Sequence, residues 1–215
     1  MAEARLQLVI EAQDNASKTL GKFERNLKNM QPTFKKMALW GTAAFAGITA
    51  GVVTMVKEAG MAEGAWNKFS AVFKDGTDDM ERFVDQIRQT MPTARHEIVR
   101  MAADTQDLLV PMGLSRDLAQ DMTKGFLTLS NQISAFNDVP VEEVLNAMKS
   151  GLVGSSEPLR RFGIDAREAA LEATALAEGI LKAGQSFKDM TPEESSAARA
   201  MALMAQITKQ SSDAI

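Results

Sequence analysis

Along residues 6–13, Leu6, Leu8, Ile10 and Ala12 interleave with Gln7, Val9, Glu11 and Gln13. That period of two predicts one short strand. Asp14-Asn15-Ala16-Ser17 supplies turn and N-cap chemistry. Leu20, Phe23, Leu27 and Met30 then recur at helical spacing, with Lys22, Arg25 and Lys28 on the other faces, which predicts a short basic amphipathic helix. Pro32 marks a restart. Met37 to Val56 follows, a twenty-residue run without a charged side chain, bracketed by Lys36 and Lys57. At ~1.5 Å of rise per residue, twenty helical residues span about 30 Å, the thickness of a bilayer's hydrocarbon core.

After Lys57 the pattern changes to capped amphipathic helices joined by short turns. Trp66, Phe69, Val72 and Phe73 line one face, ended by Asp75-Gly76; Met80, Phe83, Val84 and Ile87 line the next. Pro92-Thr93 opens a helix with Ile98, Met101, Ala102, Thr105, Leu108 and Leu109 inward, broken by Pro111 and Gly113. Ser115 caps a helix whose inner face is expected to carry Leu118, Met122, Phe126, Leu129, Ile133 and Phe136. A turn at Asn137–Pro140 leads to a helix with Val144, Leu145 and Met148 that ends near Gly151. Residues 151–163 read as a loop-rich connection, after which a helix is expected from Asp165 to about Gly184. Thr191-Pro192-Glu193-Glu194 is a strong start signal for the last helix, with Thr at N-cap, Pro at N1 and Glu at N3. The fold class expected is all-α: a short strand and basic helix over 1–36, one long apolar helix over 37–57, and a compact multi-helix bundle over 58–215.

Composition sharpens the uncharged run. Its five Ala, three Gly and three Thr dilute the larger apolar residues, Met37, Trp40, Phe45, Ile48, Val52 and Val56 among them. Gly47 and Gly51 form a GxxxG pair, a spacing that lets two helices approach closely. Three readings stay open: a helix buried in a protein assembly, a segment that enters a membrane at some stage, and a permanent anchor. Residues 1–57 carry eight Lys/Arg against four Asp/Glu, and residues 58–215 sixteen against twenty-four. A basic arm before an apolar run suits an anionic surface. The acidic body lacks the basic, aromatic-rich face of a nucleic-acid binder, so no specific nucleic acid is expected.

Candidate chemistry is sparse. With no Cys there is neither a disulfide nor a thiolate zinc site. His96 is the single imidazole and reads as a surface residue in a first helical turn. Asp78-Asp79-Glu81, Glu142-Glu143 and Glu193-Glu194 sit at helix starts, where negative charge favours the helix dipole. Gly151–Glu157 is the nearest approach to a phosphate loop, but it lacks the following Lys and comes after a helix. It reads instead as a helix stop followed by a cap at Ser155 or Ser156, with Pro158 in the next first turn and a Glu157–Arg161 pair at i, i+4. No enzyme activity, cofactor or metal is expected.

The stretch SAFNDVPVEEVLNAMKSGLVGSSEPLRRFGIDAREAAL, residues 134–171, resembles the N-terminal region of phage tail length tape-measure proteins. The likeness rests on Ser134–Asn137, Val141–Val144, Ser150-Gly151-Leu152-Val153-Gly154 and Glu157-Pro158-Leu159-Arg160-Arg161-Phe162-Gly163-Ile164, with Ala103–Leu108, Gly113–Ser115 and the N-terminal entry adding to it. The resemblance implies a structural virion protein of the tail lumen that sets tail length during assembly. Its implied partners are tail tube and tail tip proteins, tail assembly chaperones, copies of itself and the host membrane on ejection. It further implies a run Met37–Val56 that is shielded by protein in the resting particle and meets a membrane only on ejection. Even as one continuous helix, 215 residues reach only about 320 Å, and Ser211–Ile215 has no capping signal, so an N-terminal fragment or split gene product is expected.

Overall fold

A computed structural model of the chain describes residues 59–212, and its side chains from 64 to 211. The expected strand, basic helix and uncharged run lie outside the described residues. Within them the fold is an all-α bundle with no strand. Seven helices of ten or more residues appear: α1 (Ala59–Phe73), α2 (Thr77–Ile87), α3 (Arg95–Leu109), α4 (Arg116–Asn137), α5 (Val141–Leu152), α7 (Glu168–Ala177) and α8 (Pro192–Ser212). A single-turn helix, α6 (Glu157–Arg160), sits between α5 and α7.

The helix starts follow local chemistry. The Ser115 hydroxyl accepts the Leu118 N–H at 3.4 Å and opens α4. At α8 the Thr191 hydroxyl accepts the Glu194 N–H at 3.3 Å, while the Glu194 carboxylate accepts the Thr191 N–H at 3.1 Å. That reciprocal pair satisfies two N–H groups the helix itself cannot. Pro111 and Gly113 do break α3, which passes through one tight turn, Val110–Met112, before the chain reverses.

Two helices carry the core. α4 lies against α2, α3, α5 and α8, and buries residues from Leu118 to Ser134 on most of its circumference. α8 packs against α4, α5 and α7. From Ala197 to Ile207 every residue of α8 except Arg199 is buried. A helix apolar all round must be enclosed by its neighbours, and small Ala side chains let those neighbours come close. At the α4–α8 contact Met204 occupies the space over Gly125: a Cβ there would stand 1.7 Å from Met204 Cε.

Two expectations are corrected. Phe136 continues the apolar stripe of α4 in sequence, yet it is 62% exposed. It lies in the last helical turn, just before Asp138 turns left-handed (φ +53) and reverses the chain. The helix expected from Asp165 to Gly184 is only Glu168–Ala177. Gly179 adopts φ +70, and the Ile180 N–H closes back on the Ala175 carbonyl at 2.8 Å, which terminates the helix early. Leu181 and Phe187 are buried from the loop beyond it.

Among the described residues no buried side-chain polar atom lacks a partner. Gln106 is fully buried, donates to the Arg116 carbonyl at 3.2 Å and accepts the Thr123 hydroxyl at 3.2 Å, tying α3 to α4. Satisfied caps and an enclosed core predict that residues 59–212, produced alone, give a helical circular dichroism spectrum and one cooperative thermal transition. A random-coil spectrum would reject that.

Candidate functional site

The segment 150–164 holds the densest set of sequence-predicted residues, and its geometry follows from two helix stops in close succession. At the end of α5 the Ser155 N–H reaches the Ser150 carbonyl at 2.8 Å and the Gly154 N–H reaches the Gly151 carbonyl at 3.1 Å. Nine residues later the Ile164 N–H reaches the Leu159 carbonyl at 3.2 Å and the Gly163 N–H the Arg160 carbonyl at 3.0 Å. Both are the paired bonds of a Schellman stop, and both put glycine at the left-handed position, Gly154 at φ +95 and Gly163 at φ +74. Between them Pro158 stands at the start of α6, where its missing N–H is harmless. The buried pair Leu159 and Ile164 supplies the apolar contact that commonly accompanies such a stop.

Gly151 serves a different purpose. A Cβ there would stand 2.5 Å from Leu159 Cδ1 and 3.0 Å from Leu203 Cδ2. The glycine is therefore the point where α5, α6 and α8 meet. This settles how the Gly151–Glu157 stretch works: the Gly154 and Ser155 N–H groups already serve helix carbonyls, so they do not form the open N–H cradle of a phosphate loop. The expected helix stop is present. Ser156 precedes α6 but its side chain makes no capping bond.

The polar members of the segment act across helices. Arg161 forms an ion pair with Glu143 on α5, not with Glu157, because α6 stops at Arg160 and the predicted i, i+4 geometry never forms. The Arg161 guanidinium also lies 5.0 Å from the Phe162 ring centroid. Glu157 and Arg160 face solvent, and Phe162 is half-buried. The Ser150 hydroxyl donates to the Asn146 carbonyl at 2.9 Å. Val153 is 68% exposed, and nothing in the fold requires it there.

Asp165 closes the segment. Its carboxylate accepts from Arg167 Nη2 at 2.6 Å, Nε at 2.8 Å and the backbone N–H at 3.2 Å. These side-chain and then backbone bonds hold the carboxyl at about 2, below its ordinary 3.8. From α8, Gln210 accepts the Asp165 N–H at 2.9 Å and Gln206 donates to its carbonyl at 3.1 Å. Sequence reading missed this clamp, although glutamines four apart on α8 mark one helix face.

Elsewhere the carboxylates expected at helix starts make tertiary ties. Asp79 pairs with Lys124 and accepts from Gln120 at 2.8 Å, joining α2 to α4. The Lys124 hydrogen bond lowers the Asp79 carboxyl. Arg95 bonds Glu81 at 2.9 Å and Asp85 at 2.8 Å, and Arg100 bonds Glu142 at 3.2 Å. These pairs are partly exposed, so each contributes only about 0–1 kcal/mol. Lys149 is half-buried on α5, and burial pushes its ammonium below the ordinary lysine range. His96 is half-buried in the first turn of α3. Among the described residues no group of three or more potential ligands could hold a metal ion, and no helix is long and apolar enough to cross a membrane. Met37, Trp40, Phe45, Gly47, Ile48, Gly51, Val52 and Val56 lie outside the described residues.

No protein-family model matches the chain. Neither the curated proteins nor the solved structures include a match.

Gly151→Val forces side chains into Leu159 and Leu203 and is expected to destabilise by about 1–3 kcal/mol in urea unfolding. Gly154→Ala meets open space and bears only the left-handed backbone cost of about 1–2 kcal/mol. Unchanged stability in Gly151→Val would refute the close-packing account. For Asp165 the folded carboxyl titrates below its unfolded value, so its contribution is present above pH 3.8 and fades as pH falls toward 2. NMR titration of its side-chain carbon should place the midpoint near 2, and Arg167→Met should return it toward 3.8. A midpoint near 3.8 in the unsubstituted protein would contradict this.

Proposed function

We propose that this chain is a structural virion protein, the N-terminal part of a phage tail tape-measure protein. The observation that carries the proposal is the 134–171 stretch with its Ser150–Gly154 and Glu157–Ile164 motifs, which resembles that family. The geometry adds support of a general kind. Gly151, Gly154, Pro158, Leu159, Gly163 and Ile164 form a small helix-stop, one-turn-helix, helix-stop unit locked onto α8. Such a unit suits a structural module, and the carboxylates around it are used to fix helices in place.

In this reading the short strand over 6–12, the basic amphipathic helix after it and an apolar helix over Met37–Val56 precede the bundle. The protein sets tail length during assembly and lies in the tail lumen, in contact with tube, tip and chaperone proteins and with copies of itself. On ejection the uncharged run helps the genome cross the host membrane. The role is not enzymatic and uses no cofactor. A second reading is favoured by one feature, the uncharged run itself: a membrane-active or membrane-anchored helical interaction protein.

One experiment with two arms separates the readings. Mass spectrometry of purified phage particles, before and after triggered ejection, is expected to find peptides of residues 59–212 in full particles and to find them depleted in emptied ones. Their absence from full particles would overturn the virion assignment. In the second arm, residues 1–60 are floated with lipid vesicles beside the Ile48→Asp, Val52→Asp double variant. Flotation of the native segment alone supports membrane entry, and equal behaviour of the two removes it. Flotation without any presence in particles selects the second reading.

A further inference from the structure

α1 is fastened to the bundle chiefly through one other helix. It lies along α3 and touches α2 and the Lys74–Gly76 turn, without extensive packing on α4, α5 or α8. From residue 64 onward only Phe69 and Phe73 of its side chains are buried. Trp66 is half-buried and stacks on Phe69 with ring centroids 5.3 Å apart. The polar fastenings of the described side chains are partly exposed. Lys68 reaches Asp104 at 2.8 Å and Asp107 at 3.1 Å, Arg95 stands 5.7 Å from the Trp66 ring centroid, and Arg116 donates to the Val72 carbonyl at 3.0 Å.

The link from α1 to α2 carries a second, independent mark. Lys74 has φ +49, a left-handed conformation that a side chain with a Cβ disfavours. Among the described residues the other non-glycine with positive φ is Asp138, a residue type that adopts it more readily than Lys. The Thr77 hydroxyl holds the turn by donating to the Lys74 carbonyl at 2.6 Å. Strain of this kind persists only where the packed state imposes it, and it is relieved when that packing opens.

We propose that α1 opens and closes against α3 as a separate unit, hinged at Lys74–Gly76. In the open state α2 to α8 stay folded. The two ends of the bundle differ in the way this requires: α8 is enclosed by three helices and α1 is carried chiefly by one. The α1–α3 contact is broad, but of the described α1 side chains only Phe69 and Phe73 are buried, and local opening draws on regions with little buried apolar surface. The inference does not depend on the tail-protein reading.

Hydrogen exchange on the full chain, read by mass spectrometry, tests it. In the native protein α1 amides are expected to exchange at least tenfold faster than those in the middle of α8. Phe69→Leu should accelerate α1 at least fivefold and leave α8 within twofold. Lys74→Gly should act in the opposite direction, slowing α1 exchange about threefold by removing strain from the closed state. Equal protection of α1 and α8 in the native protein, or acceleration of both by Phe69→Leu, would show one cooperative unit and overturn the hinge. Unchanged or faster α1 exchange in Lys74→Gly would overturn the strain argument that locates it.

Discussion

The bundle is organised by the enclosure of α8. Over Ala197–Ile207 that helix has almost no solvent face, so its neighbours must supply apolar contact around most of its circumference. Alanine makes this possible by keeping the helix thin, and methionine makes it tolerant, since Met201 and Met204 can shape themselves to irregular space. The neighbours make a matching concession. α4 presents Gly125 where Met204 arrives, and α5 presents Gly151 where Leu203 arrives. Interaxial distance depends on the side chains at the contact, so these two glycines govern how near α4 and α5 come. A larger residue at either position must first displace the Met204 methyl or the Leu159 and Leu203 side chains.

Short connections follow from the same demand. Helices that surround a common axis must stop abruptly and turn back, and α4, α5, α6 and α7 each end with a backbone N–H reaching five residues back across a left-handed residue. Asp138, Gly154, Gly163 and Gly179 occupy those positions. The stop satisfies carbonyls that a helix end leaves unpaired, and it fixes the direction in which the chain leaves. The 150–164 segment uses two such stops around a four-residue helix, so that one turn of chain bridges α5 and α7 while Leu159 plugs the space beside Gly151.

Much of this was legible in the sequence, because its signals are local. Ser115, Thr191 with Glu194, and the Pro111–Gly113 break announce helix boundaries through hydrogen bonds made within a few residues. Helical spacing likewise identified Ile98, Met101, Leu118, Met122, Phe126 and Met148 as inward, and all are buried. What was not legible depends on partners distant in sequence. The period that places Phe136 inward runs on past the point where anything covers it. The apolar Ile180 and Leu181 looked like continuing helix, whereas Gly179 ends it and Leu181 packs from a loop. Arg161 is closer to Glu157 in sequence, but α6 is too short to bring them together, and Glu143 on the neighbouring helix takes its place. Neither the clamp of Gln206 and Gln210 on Asp165 nor the enclosure of α8 leaves a signature within one helical turn.

The polar chemistry of the described residues bears on what kind of protein this is. Arg95 ties two carboxylates of α2 to the start of α3. Asp79 does the same between α2 and α4, Glu143 between α5 and the chain after α6, and Glu168 between α7 and Arg199 of α8 at 3.2 Å. Glu172 accepts the Phe187 N–H at 3.1 Å and pins the loop after α7. Each of these carboxylates is matched to a cation or a backbone donor on another element of the bundle. Pairs this exposed add little to stability, but a mispaired set would penalise wrong helix arrangements, so their value lies in specifying which helices adjoin. A module whose charges serve mutual placement, and whose densest motif serves helix termination, fits the proposed structural role. It also puts the distinctive physical chemistry of the chain in the N-terminal arm, where a net positive stretch meets twenty uncharged residues. In sequence that arm leads into α1, the helix held chiefly by α3 and joined to α2 through a strained lysine.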